Sequence, residues 1–411
     1  MNRQPTTIFV EGESHGGVVS GTPPRDCSVG DMLVLPLKPA VRYDIFSVLA
    51  TWLDSEDQQV SFVPTNPLQF VIPKPEFCSV ACRDDLLRLQ SLRYALSDAW
   101  SKPTSHSIAE LKDAYEYHAV LLEFEKRGFP TLDDESNGVR LIWKGAFHPQ
   151  ESERHASLTW DRVATSYNIV AMLTAKVADC SVTDREACKK AVGYCQTAAG
   201  IIGILQDLVP CLDVGTVDLS GAMLTFWRGF LLAQAQSYVY RMVALNPQQQ
   251  HSTLAVLSKS AHLLFNEALT AAQDPRLVSE VSEQKQWAVY CKAASMLGAA
   301  KAEYHQSVVH RLAHEHGKEI RRLQQALEKL EECSRFTKGV DSCVDYLRRE
   351  CNAILPVVKD RLHEADQDNY KIYQDPIPKT VEELSSKQMV KAADGLPKEM
   401  LVPQKELFMG V

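Results

Sequence analysis

Asp84-Asp-Leu-Leu-Arg-Leu-Gln-Ser-Leu-Arg-Tyr-Ala-Leu96 is the first stretch of the chain in which apolar residues return at helical intervals. Leu86, Leu89, Leu92 and Leu96 stand at i, i+3, i+6 and i+10. A helix gathers them into one stripe, whereas a strand would scatter them over both faces. The same period recurs downstream and predicts helices over 108–127, 157–179, 218–244, 251–273, 277–336 with an interruption, and 339–365. A further helix is predicted to open at the capping sequence Ser181-Val-Thr-Asp184 and to run to about Val209, with Gly200 and Gly203 allowing close packing. Pro376 and Pro378 end the regular pattern. Residues 129–156, rich in Gly, Pro and Asp, read as a long connection. No Pro- or Ser-rich linker divides 84–375, so residues 31–411 read as one elongated domain, a solenoid-like stack of helical hairpins.

Upstream of the stripe the pattern is different. Residues 1–30 hold several Gly and Pro and few large apolar residues, and read as a flexible N-terminal arm. Met32-Leu-Val-Leu-Pro-Leu-Lys-Pro39 and Leu68-Gln-Phe-Val-Ile-Pro73 are the two strand-like pieces. Pro36 confines the first to a sheet edge.

Composition narrows the function classes. The 411 residues are 45% hydrophobic and 23% charged, which is globular rather than disordered or low-complexity. A net charge of −8 argues against nucleic acid as the main partner, because such binders present a basic face. Lys and Arg are not visibly clustered except in pairs such as Arg321–Arg322 and Arg348–Arg349, so contact with anionic membrane rests on little more than those. No run reaches 18 apolar residues, and no membrane-spanning helix, secretory leader or lipid anchor is expected. The eleven scattered cysteines read as reduced thiols of a cytosolic protein, with Cys180, Cys188 and Cys195 in the core.

Catalytic and metal motifs fail one by one. Cys343 and Arg349 have the spacing of a phosphatase loop, but the Val-Asp-Tyr-Leu-Arg between them has no glycine to curl backbone N–H groups around a phosphate. His305, His310, His314 and His316 lie together, with two at i, i+4, yet no third ligand stands at a metal spacing. Gly317-Lys318 lacks the rest of a phosphate loop, and Cys78 and Cys82 have no second pair. No catalytic residue and no cofactor is expected. A helical stack without a catalytic constellation reads as a protein-binding scaffold, monomeric as an isolated domain.

Six stretches, in order, resemble the BRO domain of Alix-like endosomal sorting proteins. They are Leu141-Ile-Trp-Lys-Gly-Ala-Phe147, Ser157-Leu-Thr-Trp-Asp-Arg-Val-Ala-Thr-Ser-Tyr-Asn-Ile169, Leu232-Ala-Gln-Ala-Gln236, Ala302-Glu-Tyr-His-Gln-Ser307, Gly317-Lys-Glu-Ile320 with Leu323, and Asp368-Asn-Tyr-Lys-Ile-Tyr-Gln-Asp-Pro-Ile-Pro378. Glu406-Leu-Phe-Met409 is similar to the family's last turn. Ser237 stands where the family usually has Glu, and Gly145 where an acidic residue is common. The resemblance implies a mainly α, curved, boomerang-shaped domain with a helical-hairpin core and a small N-terminal β-sheet.

It also implies a non-catalytic adaptor, cytoplasmic and recruited to endosomes, in multivesicular body formation or membrane scission. Its partner would be the C-terminal amphipathic helix of an ESCRT-III Snf/charged-multivesicular-body subunit. The alternatives are a pH-signalling scaffold of the same family, or the BRO segment of a larger phosphatase-like enzyme. The implied binding patch falls on Val239, Thr253, Leu257 and Leu264, by helix-in-groove recognition. The loop Asn246–Gln250 is one residue longer than usual, and a slip of one would nominate Ser252 and Val256. Leu254, Ala261 and Phe265 read as core. The resemblance assigns Tyr373 a phosphorylation or SH2-type docking role, against the reading of a packed turn tyrosine.

Overall fold

The computed structural model describes residues 33–54, 80–101, 107–127, 129, 140–212, 215–246, 250–340 and 342–407. The N-terminal arm, the 68–73 strand and the centre of the Asn246–Gln250 loop lie outside them. Twelve α-helices and one two-stranded sheet occur among the described residues. In chain order they are α1 (Ile45–Asp54), α2 (Val80–Trp100), α3 (Ile108–Lys126), β1 (Leu141–Lys144), β2 (Ser152–His155), α4 (Leu158–Ala178), α5 (Arg185–Leu208) and α6 (Gly221–Ala244). There follow α7 (His251–Ala272), α8 (Pro275–Glu280), α9 (Gln284–Leu312), α10 (His316–Thr337), α11 (Asp345–Asp368) and α12 (Lys398–Leu401). The protein is mainly α, as the periodicity requires. The chain forms two compact units, one from 35–175, 200–224 and 393 onward, the other from the described residues up to Val34 with 176–199 and 225–392.

In the first unit the stripe of α2 buries Leu86, Leu89, Leu96 and Trp100, but Leu92 is only half-buried and Arg93 takes the inward position. Arg93 pairs with Asp161 of α4. The same carboxylate accepts the Tyr117 hydroxyl and, at 2.8 Å, Trp143 Nε1. Three donors around one buried carboxylate are what make a charge tolerable in the core. Asn168 clamps the backbone of Lys38 from both sides, accepting from its N–H at 2.7 Å and donating to its carbonyl at 2.8 Å. The side chain of Lys38 reaches Asp218 at 2.9 Å and Glu153 at 3.4 Å. Trp143, Asp161 and Asn168, three residues of the family-like stretches, are thus polar anchors of this unit.

The sheet lies elsewhere than the strand-like text. β1 and β2 pair antiparallel, Leu141 opposite His155 and Trp143 opposite Glu153, inside the stretch read as a connection. Buried Leu141 and Trp143 alternate with half-buried Ile142 and exposed Lys144, the strand period on a four-residue scale. Among the described residues, the bridge to this sheet comes at the end of the first strand-like piece and just after it: Val41 N–H donates to Ile142 and Lys144 N–H to Pro39, with Ala40 opposite Trp143. Pro36 and Pro39 carry no N–H to extend that ladder.

One further expectation changes. The cap of α5 is Asp184, whose carboxylate accepts from Glu186 N at 3.1 Å and Ala187 N at 3.2 Å, while Ser181 bonds locally to Thr183. A reciprocal capping box does occur, at Ser107 and Glu110 of α3. By length and composition Arg185–Cys211 would qualify as a membrane span. Its apolar side, however, is buried in the protein: Cys188, Ala191, Cys195, Ala198, Ile201, Ile202 and Leu205 are all inside.

In the second unit successive helices pack on one another: α7 on α9, α9 on α10 and α10 on α11. Aromatic rings close its core. Phe226 stacks on Trp287 at 4.9 Å between centroids, and Phe230 meets Tyr290 edge-on at 5.6 Å. Of the three cysteines read as core, Cys188 and Cys195 are buried and Cys180 is half-buried.

Candidate functional site: the α6–α7 helix pair

The Leu232-Ala-Gln-Ala-Gln236 run sits on α6, and its polar residues point inward. Gln234 Nε2 donates to the Tyr290 hydroxyl at 2.8 Å. Gln236 grips the extended segment 374–397: its Nε2 donates to Lys387 O at 3.2 Å, and its Oε1 accepts from Met389 N at 3.0 Å. The buried Ala233 and Ala235 leave room for these contacts.

The same segment is held along its length by groups that read backbone. Asp375 accepts the His316 N–H at 3.0 Å and so caps α10, whose first turn carries orphan donors. Asn369 pairs twice with the Asp375 backbone. Arg322 Nη2 donates to Glu382 O at 2.5 Å. Pro376 O lies 2.2 Å from where a Cβ on Gly317 would stand, so only glycine fits there. Lys259 of α7 and Glu383 of the segment are 3.9 Å apart. Gly317 and Gln236 therefore explain two of the family-like stretches by one job, seating this segment.

The expected patch divides. Leu257 is 4% exposed, Leu264 7% and Val239 9%, so the three apolar members are buried and only Thr253 faces solvent. The reason is helical geometry. Leu257, Ala261, Leu264 and Ala268 follow one another at i, i+4, i+7 and i+11, beside Leu254 and Phe265, on the side of α7 that packs inward. The slipped register falls on the accessible side, with Ser252 exposed and Val256 half-buried. Leu263, 38% exposed and seven residues after Val256, continues that stripe and was missed; a helical wheel that separates the two stripes finds it.

Tyr373 lies in a π-helical turn, Asn369–Tyr373, after α11. It is 45% exposed, and its ring stacks on His316 with centroids 3.5 Å apart. The four clustered histidines do not converge on one point, although the His314 and His316 rings meet edge-on at 6.2 Å between centroids. His305 sits 2.9 Å from the Tyr240 hydroxyl and 3.0 Å from His251, and His310 bonds Glu315 at 2.6 Å. No group of three metal-ligating side chains occurs among the described residues. Burial drives His305 well below its ordinary pKa, and the neighbouring His251 adds to this.

A profile of the BRO1-like domain family matches residues 64–410. The chain belongs to that family. This BRO1-like chain is 25% identical over 308 residues to the vacuolar protein-sorting protein BRO1 of Gibberella zeae, a match covering 72% of the chain and 29% of that protein. Against the pH-response regulator palA/RIM20 of Saccharomyces cerevisiae it is 23% identical over 365 residues, 88% of the chain and 48% of that protein. It thus spans less than half the length of either relative. Among solved structures, the ALIX BRO1 domain in its CHMP4C complex superposes with a TM-score of 0.75 at 21% identity, covering 93% of this chain and all of that one. The BRO1-like fold is therefore shared.

Proposed function

We propose that the chain is an ESCRT-associated, non-catalytic adaptor of endosomal sorting. Its α6–α7 pair captures the C-terminal amphipathic helix of an ESCRT-III Snf/charged-multivesicular-body subunit. The observation that carries this reading is an accessible apolar stripe, Val256 and Leu263 with Thr253 at its edge, on the second of two consecutive helices in a BRO1-like fold. The matching ALIX BRO1 structure is a complex with CHMP4C. Val239, Leu257 and Leu264 hold the pair together from within, and the outer stripe meets the partner. Residues 31–411 act as one domain, cytoplasmic and recruited to endosomes. Tyr373 is accessible enough for phosphorylation once its ring leaves His316.

The test is titration of the purified chain with labelled peptides of ESCRT-III C-terminal helices. Saturable binding that Leu263→Asp weakens by about tenfold or more is expected, and no binding by any such helix would overturn the proposal. A pH-signalling scaffold is the second reading, favoured by the length of the match to palA/RIM20. It uses the same helix pair.

A further inference from the structure

Beside the outer stripe of α7 lies an open groove of about 560 Å³, lined by α7, α9 and α10. α9 packs against both other helices and so forms its middle. On a helix surface the neighbours of Leu263 at i−4 and i+3 are Lys259 and Asn266, and both line the groove. A partner helix seated on Leu263 therefore has one polar edge over this groove.

The charges there are unevenly placed. Arg322 answers Glu303 at 2.8 Å, and Lys329 answers Glu332 at 3.5 Å. His262 is neutral at pH 7: burial pulls its imidazole below the ordinary pKa, and its Nδ1 lies 3.0 Å from Ser295 O. What remains is Lys259 on α7, Lys292 on α9 and Glu328 on α10. Lys292 is exposed, its ammonium 4.5 Å from the centre of the Phe336 ring and in no ion pair among the described residues. Lys259 has only Glu383, 3.9 Å away with its side chain 88% exposed. So long and open a pair holds little, and a better-placed carboxylate displaces it. Glu328 is exposed on the α10 side, where it sets the opposite sign.

We propose that this groove reads the charge of the docking helix: Lys259 and Lys292 receive carboxylates on its acidic edge, and Glu328 repels acid from the α10 side. The inference rests on the adaptor reading above and adds what selects and orients the partner. Apolar contact with Val256 and Leu263 is blind to direction. Positive charge toward α7 and α9, with negative charge on α10, sets which edge of an amphipathic helix faces which wall. Glu383 holds the place of the partner's carboxylate on Lys259 until the helix arrives.

The experiment titrates the full chain with labelled peptides of ESCRT-III C-terminal helices that carry an acidic edge, and with the same peptides after that edge is changed to lysine. A chain with both Lys259→Glu and Lys292→Glu should bind the acidic-edged peptide about tenfold more weakly at low salt, and the difference should shrink as salt rises. The lysine-edged peptide should prefer the reversed chain, a swap that lost packing alone would not produce. Equal affinities and equal salt dependence for parent and reversed chain would overturn the groove, while weakening by Leu263→Asp would leave the adaptor reading standing. Failure of every peptide to bind the parent would overturn both. Should Lys259→Glu disturb the 374–397 segment through Glu383, Lys292→Glu alone decides, with a loss of about threefold expected and no loss overturning the proposal.

Discussion

Introducing a carboxylate on α7 separates its inner and outer stripes. Leu257 is 4% exposed and Leu263 38%, so Leu257→Asp and Leu263→Asp should fail in different ways. At position 257 the leucine gives up about 1.5–3 kcal/mol of burial. The new carboxyl must either ionise inside the core or stay neutral at pH 7. Staying neutral means holding a group of ordinary pKa 3.9 protonated three units above it, about 4 kcal/mol at 1.36 kcal/mol per unit. The sum, about 6 kcal/mol, is a large part of the 5–15 kcal/mol that holds a typical protein folded. Leu257→Asp should therefore unfold, or lose its cooperative transition in a circular-dichroism melt. Leu263→Asp should melt within about 1 kcal/mol of the parent, yet lose about tenfold or more in affinity for an ESCRT-III tail helix. A folded Leu257→Asp protein with an unshifted melt would refute the division into two stripes. So would a Leu263→Asp protein that unfolds.

Three other outcomes follow from the same contacts. Asp161→Asn leaves the buried Arg93 guanidinium without its counter-charge and should cost about 3–5 kcal/mol, read as a lower midpoint in urea; an unchanged midpoint would mean that the anchor is dispensable. Gly317→Val drives a side chain into Pro376 O and should unseat the 374–397 segment, so limited proteolysis should cut there sooner than in the parent; identical digestion patterns would argue against that clamp. His118 is neutral in the fold, its pKa lowered to about 3 chiefly by burial, with Nδ1 2.7 Å from Met400 O. Because the unfolded chain binds a proton near pH 6.5 and the folded one does not, stability should fall as pH drops below that value. The loss from this group is about 2 kcal/mol at pH 5. His118→Gln should flatten that decline, and a parent protein equally stable at pH 5 and 7 would contradict it.

The helices were legible because their apolar residues recur over twenty or more positions, and α3, α4, α6 and α7 begin within three residues of where the period places them, whereas α11 begins six residues late. Shorter elements carried too little signal. α1 is ten residues long, and the strands are four each, with Trp143 rather than a β-branched run at the centre. Arg93 hid in a leucine stripe because its partner is 68 residues away, and long-range pairing leaves no local trace. The expected patch mixed exposed Thr253 with buried Leu257 because neighbouring stripes lie close in sequence: Val256 and Leu257 differ by about 100° on the wheel, which divides solvent from core. Gln236 stood inside a stretch singled out for its resemblance, but its partner is the backbone of residues 387–389, whose side chains say nothing about it.

That last contact has a practical side. The 374–397 segment is gripped through main-chain atoms at 382, 387 and 389, while the side chains of Glu382, Ser385, Ser386, Lys387 and Met389 point into solvent. Over 382–389 its course is thus written in residues that lie elsewhere, and the lettering at those exposed positions is open to editing. A cysteine at Ser386 would carry a fluorophore or a surface tether with every one of those grips still in place, giving a reporter of segment release a few residues from the helix pair it crosses.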